Sequence, residues 1–338
     1  MASRTRLTDI AKVAGVSTAT VSRVLNGRRG VAEETRRAVL SALDVLGYER
    51  PEKLRAKTAG RIGLVIPEIS NPVFPTFAQT IETHLSAAGF IPMLCTQSPG
   101  GITEDQYVEM LVQHDVEGII FIAGLHADVE ADTTRYHQLL ANGVPFVFIN
   151  GTNPAVQVPS FAIDEARAMD LAVRHLSSLG HTRIGLATGQ RRYFTSRGKI
   201  TGFRSAMRRH CGTEDPKFVS TFFGFAGGAA AGGMLLDSGC TAIICGSDLM
   251  ALGAIQQARA RGREVPTDVS VTGFDDGPFL VHTNPPLTTL RQPVDAISRS
   301  AVASLLDLID GSPVPRTEIL FAPELIVRGS TGSATSLI

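Results

Sequence analysis

The sequence lacks the features that mark membrane-inserted and secreted proteins. The chain has 338 residues, and none of its apolar runs approaches the roughly 18 consecutive residues that a membrane-spanning helix needs. The first residues, MASRTRLTDIAKVAG, also lack the apolar segment of a secretory signal. We therefore expect no membrane partner and a cytoplasmic location.

The spacings of common catalytic and cofactor sites are missing too. The histidines form no H-x-x-x-H pair, Gly198 and Lys199 are followed by Ile200 where a Walker loop needs Ser or Thr, and the glycines within 224–233 lack G-x-G-x-x-G spacing. We interpret those glycines as sites of close helix packing. The four cysteines form no C-x-x-C pair, so buried, reduced thiols are expected, with a catalytic thiol as the alternative. We predict no metal, no cofactor and no enzymatic activity, although an α/β enzyme remains the alternative.

Charge is distributed unevenly along the chain. Residues 1–61 hold 13 Lys and Arg against 6 Asp and Glu, whereas the remainder holds 19 against 26, so that a head of charge +7 precedes a body of charge −7. A basic segment on an acidic protein is typical of a region that meets phosphates. The alternative is a solvated basic segment with no partner.

Apolar spacing in the head predicts three helices and a helix-turn-helix. The first apolar stripe begins at Leu7, with Thr8 as the N-cap of its helix. The second helix follows Ser17 and ends at Asn26 before Gly27, and the third covers residues 35–46. Two short helices cannot form a core alone, so the third supplies the missing apolar partner. We predict an all-α domain over residues 1–48.

The second helix carries small residues and one arginine on its exposed face, which lets it approach the major groove of DNA. We predict base contacts from Thr18, Ala19 and Arg23. The remaining predicted DNA contacts are Thr8, Ser17, Thr20, Ser22 and Asn26, chiefly to phosphates. Helix capping is the alternative role for Thr8 and Ser17, and a solvated charge is the alternative for Arg23.

The run LTDIAKVAGVSTATVSRVLNG closely resembles the DNA-binding head of the LacI/GalR repressors, and VAEETRRAVLSALDVLGY resembles the rest of that head. Further matches are VRHLSSLGHTRIGLATG, VPTDVSVTGFDD and NPPLTT, which extend the resemblance from Leu7 to about Ser330. It implies a transcriptional repressor that binds double-stranded operator DNA as a homodimer and responds to a small effector.

The segment over residues 49–60 is a basic linker. The resemblance implies that it forms a hinge helix on DNA and inserts a leucine into the minor groove. Here Thr58 occupies the usual leucine position, so we predict Leu54 as the wedge, a plain phosphate-binding linker being the alternative.

Beyond residue 60, short β-rich runs alternate with helical stripes, which predicts two doubly wound parallel sheets. We predict an α/β body over residues 61–338 with two lobes similar to periplasmic binding proteins. The first lobe takes about 61–160 and 291–321, and the second takes about 161–290 and 322–338.

Ligands of such sheets bind beyond the carboxyl ends of the strands. Polar and aromatic residues directly after predicted strands are Asn71, Phe74, Asp164, Ser247, Asp248 and Asp275. We predict all of these as ligand contacts except Asp248, which we interpret as a helix cap. Core packing is the alternative for Phe74, and a turn or cap is the alternative for Asp275.

The resemblance adds Lys199, which stands where the family has a ligand-clamping arginine. Arg197 is expected to compensate, because lysine lacks the planar fork of arginine. Since the chain has no tryptophan, sugar stacking would fall to Tyr193, Phe194 or Phe223.

The runs GYERPEKLRAKTAG and CGSDLMALGAI look most like actinobacterial regulators of sugar uptake, including maltose regulators. We therefore expect a sugar effector, first of all a malto-oligosaccharide. A sugar-binding protein without a DNA role and a purine-responsive repressor are the alternatives.

Overall fold

The computed structural model describes residues 2–26, 30–48, 59–97 and 100–334. The chain divides into two compact units, a head up to residue 59 and a body from residue 60. Gly27 and Leu54, for which the sequence predicts a helix end and a DNA wedge, lie outside the described residues. Within the described ranges, no helix is both long and apolar enough to cross a bilayer.

The head contains three helices: α1 (Ala2–Ala14), α2 (Thr18–Leu25) and α3 (Glu33–Val45). Helix α1 begins at Ala2, so Thr8 lies within it, and the prediction of Thr8 as its N-cap is wrong. Ser17 caps α2 as predicted, because its side chain accepts a hydrogen bond from Thr20 N. Helix α3 begins without a side-chain cap at Ala32.

The head has its own hydrophobic core. Ile10, Val21, Val24, Val39 and Leu43 are buried against one another, so each helix contributes its apolar stripe. Packing across three helices supplies the stability that helices of this length lack in isolation. The polar faces are thereby left at the surface.

The first sheet of the body is entirely parallel, in the order β11-β5-β4-β3-β1-β2. Its strands are β1 (Gly60–Ile66), β2 (Phe90–Thr96), β3 (Gly118–Ile122), β4 (Phe146–Ile149), β5 (Ser160–Ile163) and β11 (Glu318–Phe321). Helices α4 (Val73–Ala87) and α11 (Val294–Ile309) contribute to one core, and α5 (Glu104–Gln113) and α6 (Thr134–Ala141) to another. This sheet and its helices form the first lobe.

The second lobe repeats the plan, with strand order β12-β10-β9-β8-β6-β7. Its strands are β6 (Ile184–Thr188), β7 (Phe218–Ser220), β8 (Ala242–Cys245), β9 (Ser270–Asp275), β10 (Thr288–Arg291) and β12 (Glu324–Ile326). Helices α7 (Glu165–Ser178) and α8 (Phe194–Cys211) contribute to one core, and α9 (Phe225–Asp237) and α10 (Asp248–Ala260) to the other. Strand β12 is antiparallel to β10, which departs from the predicted all-parallel sheet.

The chain passes between the lobes three times: from β5 to α7, from β10 to α11 and from β11 to β12. The sequence assigns Phe161 to the start of the second lobe, but β5 pairs with β4 and β11 and belongs to the first sheet. The apolar pattern of a strand is the same whichever sheet the strand belongs to. Only the pairing of β5 with its neighbours shows that it belongs to the first sheet. Strand β1 likewise begins at Gly60, inside the range assigned to the linker.

Glycines bring α9 and α10 into close contact, as the sequence interpretation of 224–233 proposed. A Cβ on Gly228 would lie 2.1 Å from Met250 O, and one on Gly253 would lie 2.0 Å from Phe225 O. Real Cβ atoms do not approach backbone oxygens so closely, so both positions require glycine at this helix separation. The two helices are thereby held together as one layer of the second lobe.

The four cysteines are free thiols: Cys95, Cys240 and Cys245 are buried and Cys211 is half-buried. Burial raises the pKa of Cys95 and Cys240 to about 11 and raises the pKa of Cys211 and Cys245 as well. These thiols therefore stay protonated, which supports a packing role over a catalytic one.

Candidate ligand-binding cleft and DNA-binding helix

Helix α2 presents the predicted DNA contacts on the surface of the head. Val21 and Val24 anchor the helix in the core, while Thr18, Ala19 and Arg23 are exposed at its other face. A helix that binds in the major groove needs a buried apolar face, which fixes its orientation, and an exposed face, which contacts the bases.

The other predicted contacts are also accessible but take part in local hydrogen bonds. Ser17 Oγ lies 2.9 Å from Thr20 Oγ1, and Asn26 Nδ2 donates to Ser22 O at 2.8 Å. Thr8 is exposed on α1. Capping and phosphate contact can coexist at Ser17 when Thr20 is the donor in the hydroxyl contact, because the Ser17 hydroxyl then retains its own proton.

A cavity of about 580 Å³ lies between the two lobes of the body. Its lining comes from the carboxyl ends of strands in both sheets, such as Asn150 after β4, Gln190 after β6 and Ser247 after β8. This is the position at which open α/β sheets bind ligands. The volume lies within the range of small-molecule sites. We call this cavity the cleft.

A chain of hydrogen bonds crosses the cleft wall from one lobe to the other. Gln292 Nε2 donates to Asp275 Oδ1 at 2.7 Å, and Asn150 Nδ2 donates to Gln292 Oε1 at 3.3 Å. Asp275 ends β9 of the second sheet, Asn150 follows β4 of the first, and Gln292 lies on the crossover between β10 and α11. We call these three residues the relay.

The relay is built on strained backbone. Asp275 has φ of 116° and Asn150 has φ of 55°, both in the region that favours glycine. Such strain persists only where surrounding structure imposes it, and it concentrates at functional sites. Burial raises the pKa of Asp275 well above its usual range, an effect that the nearby Asp248 carboxylate reinforces.

Lys199 forms a buried ion pair in the cleft. Its Nζ donates to Glu165 Oε1 at 2.7 Å and lies 3.9 Å from the ring centroid of Phe274. Burial raises the pKa of Glu165, and Lys199 opposes this shift. A Cβ on Gly202 would lie 2.8 Å from Ala166 Cα, so this glycine allows α8 to approach the start of α7 and bring the pair together.

A second ion pair joins the lobes at the edge of the cleft. Arg192 Nε lies 3.2 Å from Asp128 Oδ2, and Val129 N donates to Arg192 O at 2.9 Å. Asp128 and Tyr193 also form an isolated β-bridge. Asp128 and Val129 follow β3 in the first lobe, and Arg192 and Tyr193 precede α8 in the second. We call these four residues the clasp.

Aromatic rings provide the apolar part of the lining. Phe223 packs where a Cβ on Gly189 would lie 1.9 Å from its ring, so this glycine makes room for it. The Tyr193 ring centroid lies 6.5 Å from that of Phe223, and Phe74 lines the opposite lobe. Flat rings of this kind can stack on the apolar face of a sugar.

Six of the eight predicted ligand residues line the cleft: Asn71, Phe74, Lys199, Phe223, Ser247 and Asp275. Asp164 and Arg197 lie outside the lining. Asp164 instead caps α7 by accepting a hydrogen bond from Arg167 N at 2.9 Å, while exposed Arg197 donates to Arg191 O at 2.8 Å. Their predicted contacts to a ligand therefore find no support in this arrangement.

Sequence reasoning missed several lining residues. Glu165 stands one residue beyond the predicted Asp164, and Asn150 and Gln292 each follow a strand directly. The rule that selected Asp275 would have selected Asn150 and Gln292 if applied to β4 and β10. Arg192 offers no comparable signal, because its loop carries two consecutive arginines.

Asp248 differs from its predicted role. Ser247 is the N-cap of α10, accepting from Met250 N at 3.2 Å, and Asp248 is the first residue of the helix. Buried Asp248 accepts from Thr289 Oγ1 at 2.6 Å and from Gly277 N at 2.8 Å. It therefore holds β10 and the turn after β9 in place beneath the relay.

Comparison with known proteins places these features in a family. Residues 6–51 match the bacterial regulatory proteins of the lacI family, and residues 173–331 match the periplasmic binding protein-like domain. The chain is 54% identical over 336 residues to the HTH-type transcriptional regulator reg1 of Streptomyces lividans, across 98% of this chain and 97% of that protein. This chain belongs to the LacI family of transcriptional regulators.

Other regulators are similar to this chain in sequence or in fold over almost its whole length. The HTH-type transcriptional regulator MalR of Streptomyces coelicolor is 53% identical over 335 residues, across 98% of this chain and 97% of MalR. A complex of the transcriptional regulator CelR with cellobiose superposes with a TM-score of 0.73 at 30% identity, across 96% of this chain and 99% of CelR. The lac repressor dimer bound to operator and the anti-inducer ONPF gives a TM-score of 0.71 at 26% identity, across 96% and 98% of the two chains.

Membership of the LacI family confirms the predicted fold class, with a helix-turn-helix head and a two-lobed α/β body. It also confirms the predicted class of function, because LacI-family members are transcriptional regulators and not enzymes. The chain is thus an HTH-type transcriptional regulator.

We predict that the stability of the body falls as pH rises from about 4 to about 7. Burial raises the pKa of Asp248 to about 7, whereas an unfolded aspartate titrates near pH ~3.9. Between these values the folded chain holds a proton that the unfolded chain has lost, so stability is full below pH ~4 and decreases by up to about 1.4 kcal/mol per pH unit. Urea unfolding at several pH values measures the slope.

The Asp248→Asn variant should show a shallower slope than the wild type, because its side chain does not ionise. The Asp307→Asn variant is the control, since Asp307 is exposed on α11. If the free energy of unfolding changed with pH by the same amount in wild type and Asp248→Asn, the raised pKa of Asp248 would be contradicted.

Proposed function

We propose that this chain is a dimeric repressor of carbohydrate-uptake genes, and that a malto-oligosaccharide bound in the cleft sets its affinity for operator DNA. The observation that carries the proposal is the composition of the cleft. It combines amide and carboxyl groups from both sheets with exposed aromatic faces, the combination that vicinal hydroxyls and the apolar face of a sugar require. The 53% identity to MalR supports the malto-oligosaccharide.

The effector acts through the angle between the lobes. Its contacts to Asn71 and Phe74 in the first lobe and to Ser247 and Asp275 in the second bridge the cleft, so it stabilises one lobe arrangement over others. Three crossovers make a hinge that permits such motion. A change in lobe angle alters the separation of the two heads of a dimer and hence their fit to DNA.

Pairing with a second copy is supported by an apolar edge on the first lobe. Strand β2 is the last strand of its sheet, and Ile91 and Leu94 on it and Ile69 beside it are about half exposed or more. A groove of about 380 Å³ lies beside this edge, lined in part by Ile66 and Leu94. Natural proteins rarely leave apolar edge strands uncovered. The lac repressor dimer has the same fold.

One experiment tests effector and response together. An operator is selected from random duplex DNA with the purified protein, and fluorescence anisotropy then measures its affinity with maltose, maltotriose, cellobiose, ribose or hypoxanthine added. We expect maltose or maltotriose to weaken binding at least tenfold while ribose and hypoxanthine have no effect. Tighter binding with hypoxanthine would instead identify a purine-responsive repressor, and no preference for any duplex would remove the DNA role.

We predict that Arg23→Ala weakens binding to the selected operator by about 1 to 3 kcal/mol and relaxes the preference at one base pair. Arg23 is exposed on α2, and a guanidinium can pair with O6 and N7 of guanine in the major groove. Repeated selection with the variant measures the preference. Arg37→Ala, on α3, is the control for loss of one positive charge, and an unchanged binding motif for Arg23→Ala would contradict direct base contact.

We predict that Asp275→Asn lowers effector affinity by up to about tenfold, because it replaces one carboxyl oxygen with an amide nitrogen and a single hydrogen bond contributes about 0.5 to 1.5 kcal/mol. Asparagine has nearly the same side-chain shape as aspartate, so this substitution adds little to the backbone strain already present at Asp275. Calorimetric titration with the active sugar gives the affinity, and anisotropy without sugar should give unchanged operator binding. An effector affinity equal to that of wild type would place Asp275 outside the ligand contacts.

A further inference from the structure

The lining of the cleft contains both cationic side chains and carboxyl groups. Among the lining residues that the structure describes, two are cationic, Lys199 and Arg192, and three carry carboxyl groups, Glu68, Glu165 and Asp275. The lining therefore holds more acid than base. A cation that is already paired with a protein carboxylate cannot neutralise the charge of a ligand, so the pairing of each cation determines which ligand charge the cleft accepts.

Both cations are already engaged by carboxylates of the protein. Lys199 is paired with Glu165 at 2.7 Å, and Arg192 is paired with Asp128 at 3.2 Å. Neither Glu68 nor Asp275 forms an ion pair with any residue in the described ranges. The described lining consequently contains no cation that is free to neutralise a charge on a ligand.

We propose that the cleft selects uncharged ligands and rejects anionic ones such as phosphorylated sugars, and that Glu165 sets this selectivity by occupying Lys199. This inference rests on the effector site proposed above. It goes further in naming the charge class of the effector and the residue that determines it. Hydroxyl groups of a neutral sugar can donate to the remaining carboxyl and amide oxygens without requiring a counterion.

The two ion pairs differ in how strongly solvent screens their charges. The side chains of Lys199 and Glu165 are 4% and 12% exposed, so solvent screens their charges little. Arg192 is 43% exposed at the edge of the cleft, where water and salt weaken its influence. An anion entering the cleft would lose its hydration and meet Glu165 beside the buried lysine, which is costly without a free counterion.

Calorimetric titration of the full-length protein with maltose and with maltose 6′-phosphate is the first test. We expect wild type to bind maltose at least tenfold more tightly than its phosphate. The Glu165→Gln variant, which frees Lys199 while keeping the shape of the side chain, should improve relative binding of the phosphate by about tenfold or more. Equal wild-type affinity for both sugars would overturn the inference and leave the proposed function standing.

A second measurement does not depend on the identity of the effector. Sulfate stabilises folded proteins in general, so the informative quantity is the difference between variants: sulfate, compared with chloride at equal ionic strength, should raise the melting temperature of Glu165→Gln more than that of wild type. Asp128→Asn is the matched control, because it removes the buried carboxylate that pairs with the exposed Arg192 and should shift no more than wild type. An equal sulfate shift for wild type and folded Glu165→Gln would overturn the role of Glu165. Absence of maltose binding alone would instead count against the proposed sugar.

Discussion

The arrangement of the body depends on the hydrogen bonds of Gln292. This side chain lies on a crossover, donates to Asp275 of the second sheet and accepts from Asn150 of the first. A single planar amide therefore fixes the distance between two sheets at the wall of the cleft. Because Asp275 and Asn150 both have strained backbones, small changes at Gln292 alter groups that have little freedom to adjust. The predicted ligand contact at Asp275 and the geometry of the lobes are thus linked by the same hydrogen bonds.

The clasp and the relay place two interlobe connections at different depths of the same cleft. Asn150 and Gln292 of the relay are buried, whereas Arg192 of the clasp is exposed at the edge of the cleft. Tyr193 of the clasp and Asp275 of the relay each line the cavity, so both connections are within reach of the effector that we propose. In the proposed function, the lobe angle therefore depends on contacts at two places in the cleft.

Much of this architecture is predictable from the sequence because its signals are local. Apolar stripes, the Ser17 cap and the order of strands and helices follow from neighbouring residues, and the strand-end rule finds Asn71, Ser247 and Asp275. Properties that depend on distant partners are not predictable in this way. Membership of β5 in the first sheet, the capping role of Asp164 and the pairing of Lys199 with Glu165 each require knowledge of what packs across the fold.

The buried thiols have a consequence for what this regulator can sense. Peroxide reacts with thiolates, and the pKa of about 11 for Cys95 and Cys240 leaves only a minute thiolate fraction at neutral pH. Cys245, also fully enclosed, is protected in the same way. Oxidants therefore have little access to these three thiols, which argues against a thiol-based peroxide switch at any of them.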